Sequence, residues 1–262
     1  MLEATDVTAS YGDAPVLHGL SAHFPAGRLT ALVGPNGCGK STFLKTVMGF
    51  MPQSTGSITL DGVPIETMGR RSLARRVAYL PQDSYCPDYL ALGELIELAG
   101  YARYSLFGGP SARDRQLFRD ALDIVGLADQ VHRPVSALSG GQRQRAWIAM
   151  VLAQDAELIL MDEPVNHLDM KYQYAVLELI RDLTTRHGKT IIAVLHDLNL
   201  TAAFADDVVM LRDGRVEAAG PVRDTMTRAN VERVFDFKAD IFSHQGRLVC
   251  LPFGANQAPA TG

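Results

Sequence analysis

Residues 34–42 form a glycine-rich segment, GPNGCGKST, that fits the pattern G-x-x-x-x-G-K-[S/T]. An apolar run rich in strand-forming residues, Leu29–Val33, precedes the segment, and a helical pattern over residues 40–48 follows it. In a strand–loop–helix unit of this kind, the loop N–H groups and the positive end of the helix bind an anion. The segment therefore predicts an α/β fold built around a phosphate-binding loop. A glycine-rich turn that matches by chance is the alternative.

Each position of this loop has a physical role in the prediction. The glycines permit backbone conformations that other residues avoid, and they let amides approach a phosphate closely. Lys40 is expected to reach the β- and γ-phosphates, and Ser41 offers a hydroxyl to Mg²⁺. The predicted ATP-binding residues of the loop are Gly34, Pro35, Asn36, Gly37, Cys38, Gly39, Lys40, Ser41 and Thr42.

An acidic pair follows a second apolar run. Leu158–Met161 is typical of a strand covered on both faces, and Asp162 and Glu163 come directly after it. Ligands of open parallel sheets bind beyond the carboxyl ends of the strands. We therefore expect Asp162 to hold Mg²⁺ and Glu163 to orient or deprotonate an attacking water. Two carboxylates that only cap a strand in solvent are the alternative, which the phosphate loop in the same chain disfavours.

Three further side chains carry weaker local signals. His196 follows a predicted strand at residues 190–195, where its imidazole can bond the γ-phosphate or the attacking water. Gln82 follows a predicted strand at Val77–Leu80, and its amide oxygen suits Mg²⁺ or water. Tyr11 lies in a predicted turn, where its ring can stack on adenine. Each of these residue types also occurs at such positions in a purely structural role, so both interpretations stay open at this point.

A second small-residue segment, LSGGQ at Leu138–Gln142, precedes another helical pattern over residues 142–154. Small residues at a helix N-terminus form an anion site. Because one chain needs only one site for a γ-phosphate, a second site suggests a ligand shared between two chains.

In this order, the motifs resemble those of the ATP-binding cassette (ABC) family, specifically its nucleotide-binding subunits. The resemblance covers about residues 2–219. It implies that the glycine-rich loop is the Walker A loop, that Gln82 is the Q-loop glutamine and that Asp162 is the Walker B aspartate. It also implies that Glu163 is the catalytic glutamate and His196 the switch histidine. Mg²⁺ would then be held by Ser41, Gln82 and Asp162.

The resemblance also implies roles that local reasoning leaves undefined. Tyr11 and Val16 are expected at the adenine, and residues 166–169 are expected to form the D-loop, with Asp169 at a dimer interface. Val165 stands where the family more often has threonine. The signature residues, expected to contact the ATP of a partner subunit, are Leu138, Ser139, Gly140, Gly141 and Gln142.

Two stretches resemble the ATPases of ferric-siderophore importers, whose relatives handle haem and cobalamin. They read SGGQRQRAWIAMVLAQ from residue 139 and VLHDLN from residue 194. The counterpart of a GRYP-like segment in that subgroup is YARY at residues 101–104, which lacks the glycine and the proline. The resemblance implies Mg²⁺-dependent ATP hydrolysis that powers uptake of an iron chelate across the inner membrane. Haem, cobalamin or another metal chelate is the alternative cargo.

Charge and composition limit the partners. The net charge of −4 makes binding of nucleic acid by charge alone a poor hypothesis. Three widely spaced cysteines suit a reducing compartment, and neither a signal peptide nor an apolar run long enough to cross a bilayer is visible. Any link to a membrane is therefore expected to run through another protein, and the resemblance implies a peripheral location on the cytoplasmic face of the inner membrane. The resemblance implies a homodimer, permease subunits in that membrane, and a periplasmic or lipoprotein substrate-binding protein reached through the permease.

The expected organisation is one ABC ATPase domain over residues 1–262, with an α/β P-loop core and an antiparallel β portion. A helical signature subdomain is inserted at about residues 88–155, and a C-terminal extension begins at about residue 221. Arginines at 70, 71, 75 and 76 form either a solvated helix face or a contact for anionic lipid or a permease loop.

Three rival functions are weighed against import. An ABC protein acting on ribosomes usually carries two cassettes, whereas this chain has one. An exporter ATPase is often fused to a membrane domain. A small-molecule kinase would leave Leu138–Gln142 without a role.

Overall fold

The computed structural model describes residues 1–12, 14–83, 85–104, 108–166 and 168–253. The chain divides into two compact units, one formed by residues 1–65 with 192–262 and the other by residues 66–191. The strands are β1 (Leu2–Tyr11), β2 (Ala14–Phe24), β3 (Leu29–Val33), β4 (Gln53–Leu60), β5 (Val63–Pro64), β6 (Val77–Leu80), β7 (Leu158–Met161), β8 (Thr190–Val194), β9 (Asp207–Arg212), β10 (Arg215–Pro221), β11 (Ala239–His244) and β12 (Arg247–Pro252). The helices are α1 (Lys40–Val47), α2 (Arg70–Arg76), α3 (Leu92–Leu98), α4 (Ala112–Ile124), α5 (Gly140–Ala153), α6 (Met170–Thr185), α7 (Leu198–Phe204), α8 (Val222–Thr225) and α9 (Arg228–Phe235).

An antiparallel sheet forms one layer of the first unit. Strand β1 pairs with both β2 and β4, so that Leu2 lies opposite Phe24 on one side and Leu60 on the other. These three side chains are almost completely buried. The ring of Phe24 also stacks on Phe43 of α1, with 5.5 Å between the ring centroids. The apolar face of this sheet therefore packs against the helix that follows the phosphate loop.

Parallel pairing places the phosphate loop at a strand end in the same unit. Strand β3 pairs with β9 in parallel, and β9 continues into an antiparallel hairpin with β10. All five residues of β3 are buried, as the unbroken apolar run predicts. The N–H of Leu195 donates to the carbonyl of Leu32 at 3.1 Å, so the chain after β8 emerges near the end of β3 that leads into the loop.

The second unit combines a parallel strand pair with the predicted helical stretch. Strands β6 and β7 have the predicted bounds, and they pair with Val77 opposite Leu158 and Leu80 opposite Met161. Helices α3, α4 and α5 lie within residues 88–155, where helices were predicted. The expected α/β fold with parallel and antiparallel pairing is confirmed. The division into one domain with an inserted subdomain stays a prediction.

Arg103, in the YARY segment, joins two of these helices. Its Nε donates to Oδ1 of Asp114 at 2.6 Å, and its other nitrogens donate to the carbonyls of Ala153 (2.9 Å) and Gln154 at the end of α5. Burial acts to raise the pKa of Asp114, but hydrogen bonds from Ser111 and Arg103 hold it below its ordinary value. The YARY segment lacks the glycine and the proline of the subgroup, but Arg103 attaches it to α4 and α5.

In the arginine cluster of α2, Arg70, Arg71 and Arg75 are exposed, which is compatible with a solvated helix face. The Nε atoms of Arg71 and Arg75 both donate to the carbonyl of Ala102, at 2.8 and 2.9 Å. These two side chains therefore hold the YARY segment in place. In the described part of the chain, no helix has both the length and the apolar character needed to cross a membrane.

The described part of the C-terminal extension, residues 221–253, is folded, although the sequence made no detailed prediction for it. Strands β11 and β12 form an antiparallel hairpin, and helix α9 is capped by Thr227. The side-chain amide of Asn199 bonds the backbone of Cys250 in both directions, donating to its carbonyl at 3.1 Å and accepting from its N–H at 2.8 Å. The hairpin is therefore attached directly to α7.

Candidate functional site

The phosphate loop of the first unit occupies residues 34–39, between the end of β3 and the start of α1. Gly34 has φ of 154°, and a Cβ at this position would lie 2.2 Å from the carbonyl oxygen of Leu211. The loop backbone thus passes too close to β9 for any other residue. Gly39 precedes α1 in the left-handed conformation, and the first turn of the helix carries no acidic residue. The positive end of α1 is therefore not neutralised from within its own first turn.

Lys40 folds back into this loop. The side chain is 5% exposed, and its Nζ donates to the carbonyls of Gly34 at 2.8 Å and Pro35 at 2.9 Å. Both of these acceptors are neutral backbone oxygens rather than carboxylates. An anion that entered the loop would offer stronger acceptors than these carbonyls.

Cys38 is a packed side chain of the loop. It is 4% exposed, and its Sγ lies 3.8 Å from Nζ of Lys40. Burial raises the pKa of the Cys38 thiol, although the Lys40 ammonium acts in the opposite direction. The thiol is therefore protonated near neutral pH and suits the role of a space-filling group.

The residues predicted at the adenine lie in the β1–β2 hairpin. Tyr11 ends β1 with 53% of its surface exposed, and it pairs with Ala14 at the start of β2. Val16 is half-buried, and its carbonyl oxygen would lie 3.5 Å from a Cβ built on Gly39. The hairpin therefore runs alongside the loop, as an adenine contact requires. The adenine roles themselves stay predictions.

His196 is exposed directly after β8, near the end of β3 that leads into the phosphate loop. The next residue, Asp197, caps α7 by accepting hydrogen bonds from the N–H groups of Asn199 at 2.7 Å and Leu200 at 2.9 Å. This cap fixes the backbone just beyond His196. The prediction missed Asp197, although an aspartate before a short helical stretch is a recognisable N-cap signal.

In the second unit, the structure brings Gln82, Asp162 and Glu163 together. They follow the paired strands β6 and β7, and Nε2 of Gln82 donates to Oε2 of Glu163 at 2.9 Å. The same oxygen accepts from Nδ2 of Asn166 at 2.6 Å. Glu163 has φ of +54°, an unusual conformation for a glutamate that is often found at functional sites. Two amide donors therefore fix one oxygen of this carboxylate and orient the other.

Asp162 is held more deeply than Glu163. The aspartate is 2% exposed, its N–H donates to the carbonyl of Leu80 at 2.8 Å, and its Oδ2 accepts from the hydroxyl of Tyr79 at 3.2 Å. The contact made by Tyr79 depends on how β6 and β7 pair, and no local signal in the sequence identifies it. Asn166 lies three residues after Glu163, so its contact is local in sequence.

The signature segment forms the N-terminus of α5. The Oγ of Ser139 accepts from the N–H of Gln142 at 3.3 Å, and Oε1 of Gln142 accepts from the N–H of Ser139 at 3.0 Å. This capping box leaves the hydroxyl proton of Ser139 able to donate to an anion. Leu138 is buried, whereas Ser139 and Gly140 are exposed.

Gly141 packs closely against the ring of Tyr172. A Cβ at Gly141 would lie 2.8 Å from Cδ1 of Tyr172. Asp169 is exposed and caps α6 by accepting from the N–H of Tyr172 at 3.2 Å. Its expected place at a dimer interface stays a prediction, and His167 of the predicted D-loop lies outside the described residues.

The fold and the phosphate loop define a P-loop nucleotide-binding protein. A profile of the ABC transporter family matches residues 17–166. The chain belongs to this family.

Similar proteins cover almost the whole chain. The iron(3+)-hydroxamate import ATP-binding protein FhuC of Bacillus subtilis is 39% identical over 254 residues, which are 96% of this chain and 94% of that protein. The hemin import ATP-binding protein HmuV of Streptomyces coelicolor is 39% identical over 244 residues, or 92% and 86% of the two chains. A solved structure of a metal-chelate type ABC transporter in an inward-facing conformation has a TM-score of 0.83 and 25% identity, covering 97% of this chain and 98% of that one.

Proposed function

We propose that this chain is the ATP-hydrolysing subunit of an ABC importer that takes up an iron chelate of the siderophore class. The observation that carries the proposal is that one chain combines a phosphate loop folded around the buried Lys40 with an acidic pair, in which the Glu163 carboxylate accepts hydrogen bonds from two side-chain amides. The near full-length similarity to an iron-hydroxamate import ATP-binding protein supports the cargo class. The fold alone would not identify the cargo class, because one fold hosts many functions.

Mg²⁺ fits the donors that this chain offers. In the described residues, no group of three or more His, Cys, Asp or Glu is placed to hold a metal. Mg²⁺ does not need such a group, because it keeps several waters and binds one or two carboxylates together with substrate phosphates. The hydroxyl of Ser41, the carboxylate of Asp162 and the amide oxygen of Gln82 are hard oxygen ligands of this kind. When bound, the metal neutralises phosphate charge.

The other side chains of the site bind the phosphates, the water and the adenine. Lys40 exchanges its backbone acceptors for the β- and γ-phosphates, and the loop amides bind the same anion. Glu163, with one oxygen fixed by Gln82 and Asn166, uses the other oxygen to orient or deprotonate water. His196 bonds the γ-phosphate or the water, and Tyr11 with Val16 holds the adenine.

A homodimer completes the site in this proposal. Ser139 is exposed at the N-terminus of α5, where its hydroxyl and the first amides of the helix can bind the γ-phosphate of an ATP held by a second copy. Two ATP molecules then lie between two head-to-tail subunits, with Asp169 at their interface. Closing on ATP and opening after hydrolysis drives the permease.

The permease contact is assigned to a cavity of about 690 Å³ in the second unit, lined by both basic and apolar residues. The lining includes Arg70 and Arg71 together with Leu98 and Tyr101, which are 56% and 77% exposed. Large exposed apolar groups beside basic ones suit a segment of a protein partner. A periplasmic or lipoprotein substrate-binding protein would act on the far side of the permease. The ATPase would then be peripheral, on the cytoplasmic face of the inner membrane.

Membrane association should depend on the permease and on this cavity. We expect the chain to sediment with membranes only when the permease is co-expressed, and Leu98→Asp to reduce the recovered fraction several-fold. The matched control is Leu251→Asp, because Leu251 is 55% exposed in the β11–β12 hairpin. Equal loss in both variants, or tight binding of the wild-type chain to protein-free liposomes, would contradict the assignment.

Uptake assays test the function itself. A strain that lacks this gene should lose uptake of labelled ferric siderophores, and the wild-type gene but not Lys40→Ala should restore it. The panel should include haem and cobalamin, because the similarity to a hemin import ATP-binding protein supports haem as a second candidate cargo. Loss of haem uptake with intact siderophore uptake would reassign the cargo. Co-purification with ribosomes rather than a permease would reject import altogether.

A further inference from the structure

The turn at residues 213–214, between β9 and β10, touches the phosphate loop although it lies far from it in sequence. The N–H of Gly214 donates to the carbonyl of Cys38 at 3.1 Å. The carbonyl of Gly214 accepts from the N–H of His18 in β2 at 3.0 Å. One residue thus joins the loop to the hairpin that carries Val16.

This contact leaves no room for a side chain. Gly214 has φ of +71°, and a Cβ built there would lie 2.0 Å from the carbonyl oxygen of Val16 and 2.7 Å from Cδ2 of His18. The Cα of Gly214 would also lie 3.7 Å from a Cβ built on Gly39. The backbones of the turn, of β2 and of the phosphate loop therefore pack directly against each other.

The strand that enters the turn supports the other end of the loop. The carbonyl oxygen of Leu211 would lie 2.2 Å from a Cβ on Gly34, where the loop begins. The segment from Leu211 to Gly214 therefore contacts the loop both at its first residue and at Cys38. A loop supported at both ends holds its amides in a fixed arrangement.

We propose that the 213–214 turn is a positioning element for the phosphate loop, with Gly214 as its essential residue. Gly214 acts through the Cys38 carbonyl and through β2, and it does not itself touch the nucleotide. Amides that are already ordered do not lose conformational freedom when the triphosphate binds, so the affinity for ATP is higher. The inference rests on the proposed function, in that the loop must bind the phosphates of ATP.

The chain provides two matched controls for this proposal. Gly62 and Gly246 occupy the same position in other hairpin turns, with φ of +76° and +77°, after residues with φ of +51° and +50°. A Cβ at either glycine would meet nothing within 4 Å. Alanine at these positions introduces the same backbone strain as Gly214→Ala without the contact.

The experiment compares Gly214→Ala with Gly62→Ala and Gly246→Ala in the full chain. We expect Gly214→Ala to weaken binding of a fluorescent Mg-ATP analogue by about 10- to 100-fold, since a small misplacement of a binding group has effects of this size. The effect should appear mainly in KM rather than kcat. Alkylation of Cys38 by iodoacetamide, followed by peptide mass spectrometry, should also become faster. Both control variants should stay close to the wild-type chain in each measurement.

Gly214→Asn covers the case in which the alanine variant does not fold. Asparagine tolerates the left-handed conformation but keeps the Cβ, so ATP binding should again be weakened. A folded Gly214 variant that binds ATP as tightly as the Gly62→Ala chain would overturn the positioning role. Failure of the wild-type chain to bind ATP would instead overturn the proposed function, which separates the two conclusions.

Discussion

Replacing Lys40 with alanine should abolish ATP hydrolysis and greatly weaken ATP binding. The ammonium is buried in the phosphate loop, where the neutral carbonyls of Gly34 and Pro35 accept its hydrogen bonds. Removing a single preorganised donor from a transition-state charge costs about 10²–10³-fold in rate, and removing a full positive charge should cost at least as much. The measurements are phosphate release at saturating ATP and equilibrium binding of a fluorescent ATP analogue.

Lys45→Ala is the matched control for this variant. Lys45 lies in the last turn of the same helix, where its charge is remote from the loop that precedes the first turn. We expect near wild-type turnover from Lys45→Ala and an unchanged melting temperature in both variants. Wild-type turnover in Lys40→Ala would reject the assignment of residues 34–42 as the phosphate loop.

Much of the fold could be predicted from local pattern. Strands β3, β6 and β7 have the predicted bounds because each is an unbroken apolar run that the structure buries. Helix α6 also has its predicted bounds, since Val176, Ile180 and Leu183 repeat at helical spacing and are buried.

The sequence pattern predicted the strands less well where strand pairing is irregular or depends on distant residues. Strand β2 extends from Ala14 to Phe24, but register shifts in its pairing with β1 break the alternation of buried and exposed residues. Tyr11, which was predicted to lie in a turn, instead ends β1, because Tyr11 and Ala14 already pair. The C-terminal hairpin was missed because its attachment depends on Asn199, which lies far away in sequence.

Contacts within the candidate site could be predicted only in part. Sequence motifs identified Gln82 and Glu163 separately, but their hydrogen bond follows from the parallel register of β6 and β7. The contact of Gly214 with Cys38 likewise depends on non-local strand pairing. Cys38 follows β3 and Gly214 follows β9, and these two strands pair in parallel. Motif spacing predicts the residue types at a site, whereas non-local strand pairing determines their partners.

Glu163→Gln should separate ATP binding from hydrolysis. The hydrogen bonds from Gln82 and Asn166 to the Glu163 side chain go to the same oxygen, Oε2, so a glutamine whose amide oxygen takes this place keeps both donors. The substitution removes the negative charge and replaces the second oxygen with nitrogen. General-base contributions are typically about 10²–10⁴-fold, and we expect ATPase activity to fall within that range. Glu157→Gln is the control, because Glu157 is exposed in the same unit.

The same variant should accumulate an ATP-bound dimer, because the hydrolytic step that opens the dimer is blocked. ATP binding persists, since Lys40, Ser41 and Asp162 are unchanged. Size-exclusion chromatography with ATP should show the Glu163→Gln chain at the dimer position. Without ATP it should elute as a monomer.

Adding Ser139→Arg to Glu163→Gln tests whether the signature of one subunit binds the ATP of the other. A bulky cation at the N-terminus of α5 should fill the site meant for the partner's γ-phosphate and disperse the dimer, while each chain still binds ATP through its own loop. Ser139→Arg also removes the cap of α5, which costs about 0.5–2 kcal/mol of helix stability. Ser139→Ala removes the same cap and the hydroxyl donor without adding bulk or charge, and the helix amides remain to bind the phosphate, so Ser139→Ala should disperse less of the dimer than Ser139→Arg. If Glu163→Gln dimerises with ATP and Ser139→Arg makes no difference, the shared site is wrong for this protein.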